Sequence, residues 1–238
     1  MEAYSDNVEK PSIKALHLVV CDLKRLPDEA AEKERALLVS ALAQYRPFDA
    51  LLSEIQIDRV TFSNDEENDI FLRFRDFPFL KTRNSFLKEL SVRIGHPYKL
   101  VIIDDGTIVS AAELSSLDKT SLIILGRQRY RDEHSFAKGF LHELGHSLGL
   151  RDECRVCQER VSAGPPNCAP SMAEAKAWWG DVAATDSRVG YFEGCCGNTS
   201  YIRSSPASLM NDSDRAEDFG PVSERFILQA FERHKKGL

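Results

Sequence analysis

His142-Glu143-Leu144-Gly145-His146-Ser147-Leu148-Gly149-Leu150-Arg151-Asp152 is the stretch on which the reading of this 238-residue chain turns. Two histidines four apart on a helix project from one face, so both imidazoles can reach a single Zn²⁺. Glu143, one position on from His142, then lies beside the metal with a carboxylate suited to act as a general base. Gly149 falls three residues after His146, where a helix can end on a residue with positive φ that glycine adopts without a Cβ penalty. The turn it permits brings Asp152 back under the helix end, where its carboxylate can supply a third ligand.

Composition narrows the field around this motif. With 31 Lys+Arg against 37 Asp+Glu the formal net charge is −6, and the chain has no long basic run, which argues against a nucleic-acid partner. Apolar runs such as Leu122 to Leu125 are far too short to span a membrane. Met1-Glu2-Ala3-Tyr4-Ser5-Asp6 has no basic segment leading into an apolar one, so no signal peptide is expected. The protein would be cytoplasmic if this is its full length and secreted if this is a mature form.

Periodicity predicts an α/β front half. Lys14 to Cys21 reads as a buried strand, and a helix opens at Pro27-Asp28 and closes near Arg46-Pro47. Gln56 to Phe62, Lys99 to Asp104 and Ser121 to Gly126 read as further strands, and His134 to Leu148 as the helix that carries the motif. Asn64 to Asp69 reads as a solvated acidic turn rather than a calcium loop. Beyond Asp152 proline, glycine and cysteine rise. Ser171 and Glu174 have capping-box spacing for a short helix ending at Gly180, and Gly220-Pro221 opens a final helix with Phe226, Ile227, Ala230 and Phe231 on one face.

Five of six cysteines, Cys154, Cys157, Cys168, Cys195 and Cys196, lie in this later segment. They have the number and type for either disulfides or a second, structural zinc, and spacing leaves both open. His17, His96, His134 and His234 lie outside the motif and are read as non-ligands.

His142, Glu143, His146 and Gly149 resemble the extended HExxHxxGxxH motif of the metzincin zinc peptidases, with Asp152 in place of the third histidine. The chain is most similar to the bacterial immunoglobulin-A peptidase family. The similarity is carried by Arg46-Pro47-Phe48, Phe140 to Ser147, Asp152-Glu153, Tyr191-Phe192-Glu193-Gly194 and Tyr201-Ile202-Arg203. It has one residue fewer between Gly149 and Asp152 than is common there.

The resemblance implies a two-lobed α/β (α+β) fold. A mixed twisted sheet, a backing helix and the active-site helix would form residues 1–151, and an irregular, Cys-rich lower lobe ending in a helix would form 152–238. It implies zinc held by His142, His146 and Asp152, and Met210 in a methionine-containing turn beneath the metal. Tyr201 and Arg203 are candidates to approach the oxyanion, with a structural role as the plainer reading. The function implied is a zinc-dependent endopeptidase acting on peptide or protein, with Glu143 as base to a metal-activated water. The alternative is a non-catalytic binding module stabilised by zinc.

Overall fold

A computed structural model describes residues 14–22, 28–60, 85–104, 110–155, 162–212 and 215–237. It is a mixed α/β fold. Five strands, β1 (Leu16–Asp22), β2 (Ile55–Val60), β3 (Lys99–Asp104), β4 (Ala111–Ala112) and β5 (Ser121–Gly126), form one sheet in the order β2-β1-β3-β5-β4. The first four in that order run parallel, and β4 pairs antiparallel with β5 at the edge. Parallel neighbours need long crossovers; these carry the helices Asp28–Gln44 and Ser85–Ile94 and, between β3 and β5, the short strand β4.

The β1 sequence shows why both faces are covered. Leu16, Leu18 and Val20 point into one core with Leu38 and Leu42 of α1 (Asp28–Gln44) and Phe136, Phe140 and Leu144 of α3 (Glu133–Ser147). Val19 and Cys21 point into the other, with Leu90 of α2 (Ser85–Ile94), Tyr98 and Leu100. His17, also on β1, bonds through Nδ1 to His96 Nε2 at 2.9 Å and through Nε2 to Asp58 Oδ2 at 3.0 Å. That satisfies a buried histidine within the sheet.

After the motif helix come α4 (Met172–Ala183), a three-stranded antiparallel sheet ordered β6 (Cys168–Ala169), β8 (Asn198–Arg203), β7 (Phe192–Cys195), and α5 (Pro221–Lys235). The core around α1 and α3 also takes in Leu209, Met210, Phe219, Ile227 and Phe231. Residues before and after position 151 therefore share one hydrophobic core. No helix among the described residues is long and apolar enough to cross a membrane.

The predicted strands Lys99–Asp104 and Ser121–Gly126 are present with those bounds, β1 and the motif helix are displaced by a residue or two, and positions 61–62 of the second predicted strand and the acidic stretch Asn64 to Asp69 lie outside the described residues. Ser171 caps α4 as its spacing predicts, accepting from Glu174 N at 3.3 Å. The expected end at Gly180 is met by a break one residue earlier, after which a second helical turn continues to Ala183. The backbone departs from helical geometry at Trp179, whose buried indole Nε1 donates to Gly190 O at 2.9 Å. That anchor sets the local geometry more strongly than a glycine's low helix propensity. Helix α2 and the short strands β4, β6, β7 and β8 were not expected from periodicity.

Lys99 is a buried cation at the start of β3, with Nζ donating to the carbonyls of Ser116 and Lys119. Burial lowers its pKa to about 8, only partly offset by Asp118 and Glu113. Between that value and an unfolded lysine's ~10.4, the unfolded chain holds the extra proton, so stability rises with pH. We expect wild type to gain up to about 3 kcal/mol over this window relative to Lys99→Met. Urea unfolding of both proteins from pH 7.5 to 10.5 checks this, and parallel pH profiles would refute it.

Candidate metal centre

Helix α3 begins with a reciprocal cap that places the motif in register. Asp132 accepts from Ser135 N at 2.7 Å, and Ser135 Oγ accepts from Asp132 N at 3.1 Å. At its other end Leu150 N donates to Gly145 O and Gly149 N to His146 O, both at 2.9 Å, with Gly149 at φ +106°. These are the paired bonds of a Schellman motif, which needs positive φ at this position. A Cβ there would also stand 3.1 Å from Ser115 O. The chain reverses and delivers Asp152 to the helix face.

Three donor atoms then converge. His142 Nε2 and His146 Nε2 are 3.2 Å apart, and Asp152 Oδ1 lies 3.3 Å from the first and 3.4 Å from the second. His142 Nδ1 donates to Leu209 O at 2.7 Å and His146 Nδ1 to Leu150 O at 2.9 Å. A carbonyl can only accept, so Nδ1 carries the proton in each ring, and in the neutral ring Nε2 presents a lone pair to the centre. Ligand bonds of ~2.0–2.1 Å in a tetrahedron place donor atoms about 3.3–3.4 Å apart, and the triangle matches this. The donor set of two neutral imidazoles and one carboxylate therefore fits Zn²⁺.

Glu143 stands beside this triangle, its carboxylate within 4.8 Å of the ligand atoms of both histidines. It is buried, and burial raises its pKa against the lowering effect of His142 and His146. Asp152 shows the opposite balance. Burial pushes its pKa up, but hydrogen bonds from both histidines hold it well below the usual carboxylate range. His142 is the counterpart, since burial disfavours its charged form yet Asp152 and Glu143 raise its pKa to about 9. These directions belong to the metal-free site, where an imidazole that donates from Nε2 to Asp152 is protonated; of the two carboxylates there, Asp152 is held ionised and Glu143 is the better suited to take up a proton.

The floor of the site comes from far along the chain. In the turn at Ser208 to Asn211, Asn211 N bonds to Ser208 O at 2.9 Å, and Leu209 in that turn supplies the carbonyl that orients His142. Met210 packs against α3 at Gly145, where a Cβ would fall 2.6 Å from Met210 Sδ and 3.0 Å from Phe219 Cε1. The glycine inside the helix makes room for this approach.

Glu153 ties the turn to the third ligand, a role the motif does not reveal. Its carboxylate is fully buried and accepts from Ser208 Oγ at 2.7 Å and Asn167 Nδ2 at 3.0 Å, while its amide donates to Met210 O at 2.8 Å. Burial raises its pKa to about 7, moderated by those two donors. Glu153→Ala removes the acceptor of Ser208 Oγ and one of the two that Asn167 Nδ2 has, the other being Arg151 O at 2.8 Å, and we expect a loss of about 2–4 kcal/mol. Glu153→Gln, which keeps an acceptor for Asn167, should lose much less. Thermal unfolding of the zinc-free proteins measures the difference, and equal losses would refute the clamp.

The other candidates fall around this centre. Arg203 is occupied with backbone carbonyls, donating from Nε to Ser205 O at 3.1 Å and from Nη1 to Glu193 O and Gly194 O at 2.6 Å each. Tyr201 packs against the cysteine cluster. Cys168 and Cys195 are disulfide-bonded, Cys154 is also in a disulfide, Cys196 is a free buried thiol, and Cys21 is buried in the sheet. Cys157 lies outside the described residues. His134 stands at the start of α3 with Nδ1 3.4 Å from Tyr45 Oη.

No protein-family model and no curated protein matches the chain. Among solved structures it is similar to an archaemetzincin from Methanopyrus kandleri at 12% identity, covering 95% of this chain and 100% of that one, with a TM-score of 0.39. It is similar to metalloproteinase-II from Bacteroides fragilis at 12% identity, covering 94% of this chain and 55% of that one, with a TM-score of 0.37. A third likeness, at 15% identity and a TM-score of 0.28, is to a zinc-dependent peptidase from Methanocorpusculum labreanum, covering 60% of this chain and 83% of that one. At these identities and scores the likenesses assign no class, and the functional reading rests on the donor triangle itself.

Proposed function

We propose that this protein is a zinc-dependent endopeptidase. The observation that carries the reading is the triangle of His142 Nε2, His146 Nε2 and Asp152 Oδ1, with sides of 3.2, 3.3 and 3.4 Å and the Glu143 carboxylate beside it. A zinc ion held by these three donors supplies Lewis acidity, polarising a peptide carbonyl and making water a stronger acid. Glu143 takes the proton from the attacking water and returns it to the leaving amine. Asp152 holds its position as an anion, and the Leu209 and Leu150 carbonyls hold both imidazoles in the ligating tautomer.

A purely structural zinc site has no use for a buried carboxylate placed to accept a proton, and would more readily close its fourth position with another ligand. On this reading the Ser208–Asn211 turn is the methionine turn beneath the metal, and 1–151 and 152–238 are the two lobes of one catalytic domain. The substrate is a peptide or protein.

The test is mass-spectrometric cleavage of a diverse peptide library by protein stripped of metal, reloaded with one equivalent of zinc, and stripped again. Internal cleavage that appears and disappears with zinc supports an endopeptidase. Zinc bound at full occupancy with the library left intact would return the protein to the binding-module reading.

A further inference from the structure

Behind the third ligand lies a cluster of three sulfurs that the peptidase reading does not use. Cys168 is bonded to Cys195, yet the free thiol of Cys196 has its Sγ only 3.0 Å from Cys168 Sγ and 4.0 Å from Cys195 Sγ. All three are buried together, packed by Ala163 and Tyr201. Cys195 ends β7 and Cys196 begins the turn into β8, at φ +53°. The turn lies on the backbone of Asp152, with Cys196 N donating to Asp152 O at 2.9 Å and Cys195 Sγ 3.3 Å from the same oxygen.

We propose that Cys168 is a shared sulfur with two competing partners, so that the chain has two covalent forms, Cys168–Cys195 and Cys168–Cys196, which seat Asp152 differently. Interconversion is a thiol–disulfide exchange with no net oxidation. Cys196 loses its proton to water, its sulfur forms a bond to Cys168 Sγ, the Cys168–Cys195 bond breaks, and Cys195 leaves with the electron pair and takes up a proton.

Cys195 is the last strand residue and Cys196 the first of the turn, with both sulfurs on the Cys168 side, so bonding the second in place of the first draws the next residue of the hairpin against β6 and must shift the tip. Asp152 O is held by that tip, and a displaced tip displaces the ligand. The choice is made while the chain is folding and the thiols are accessible. In the folded state Cys196 is off the axis of the existing bond, since it lies closer to Cys195 than an in-line approach would allow. The selected form therefore persists once the three sulfurs are packed away.

The experiment maps pairing in the wild-type protein. Free thiols are alkylated under denaturing, non-reducing conditions, the disulfides are then reduced and given a second label, and the peptide containing both residues is fragmented between 195 and 196. The proposal expects the first label on Cys196 in part of the molecules and on Cys195 in the rest. It also expects folded Cys195→Ser, checked by circular dichroism, to contain a Cys168–Cys196 bond. Label on Cys196 alone, or both Cys168 and Cys196 free in Cys195→Ser, would overturn it.

The coupling to Asp152 rests on the zinc reading and is measured separately, by competition for zinc with a chromogenic chelator. Cys195→Ser and Cys196→Ser should differ in zinc affinity by roughly tenfold. Equal affinities with both bonds formed would remove the coupling, whereas failure of both proteins and of wild type to bind zinc would instead count against the metal site itself.

Discussion

Replacing Glu143 with glutamine is expected to lower kcat for peptide hydrolysis by roughly 10²–10⁴ while leaving KM within a fewfold of wild type. Glutamine keeps the shape of the side chain, and in the buried setting that raises the Glu143 pKa the loss of charge is tolerated. What it lacks is a site that can accept a proton. An interaction needed only in the transition state lowers kcat and kcat/KM together. Zinc content and unfolding midpoint should match wild type, which separates a lost base from a lost fold. Activity within tenfold of wild type would show that the proton goes elsewhere, and the endopeptidase mechanism as proposed would fail.

Asp152→Ala should have the largest effect on metal affinity. The partners behind metal ligands are typically worth ~10–100-fold in affinity, and removing a ligand that is itself anionic should exceed that range. The two histidines remain oriented by Leu209 O and Leu150 O, so a weak site persists and excess zinc should partly restore cleavage. Asp152→Asn offers an oxygen without the charge and is expected to fall between wild type and alanine. Chelator competition gives all three affinities. An unchanged affinity in Asp152→Ala would mean that the carboxylate only pairs with the imidazoles.

The parts of the site written in local geometry were legible in the sequence. His142, Glu143 and His146 follow from the helical repeat, and Gly149 from the steric demand of a left-handed helix end, which the Schellman bonds and φ of +106° satisfy. Asp152 follows from that turn. In the front half, β1, β3 and β5 were legible as short apolar runs because parallel strands covered on both faces leave little else.

What escaped the sequence depends on distant partners. Glu153 looks like an ordinary surface carboxylate beside Asp152, and only the arrival of Asn167 and Ser208 makes its burial tolerable. β4 and β6 are each two residues long, too short for a periodic signal, and are defined by the strands they meet. Gly180 carried a local stop signal, but the Trp179 indole bonded to Gly190 O sets the path of that helix. The cysteines admitted two chemistries by spacing alone, because spacing holds no information about which sulfurs meet.

The bond from His142 Nδ1 to Leu209 O crosses 67 positions of sequence, and this has a meaning for biosynthesis. At a synthesis rate of about 5–20 residues per second, the acceptor that orients His142 is made roughly 3–13 s after the histidine itself. During that interval the growing polypeptide carries both imidazoles and, soon after, the Asp152 carboxylate, but one ring is free to rotate. On the zinc reading, competence to hold metal firmly therefore arrives only after Leu209 has been made. A nascent chain, and any fragment truncated before Leu209, would be spared the hydrolytic chemistry that the finished molecule is proposed to perform on polypeptides like itself.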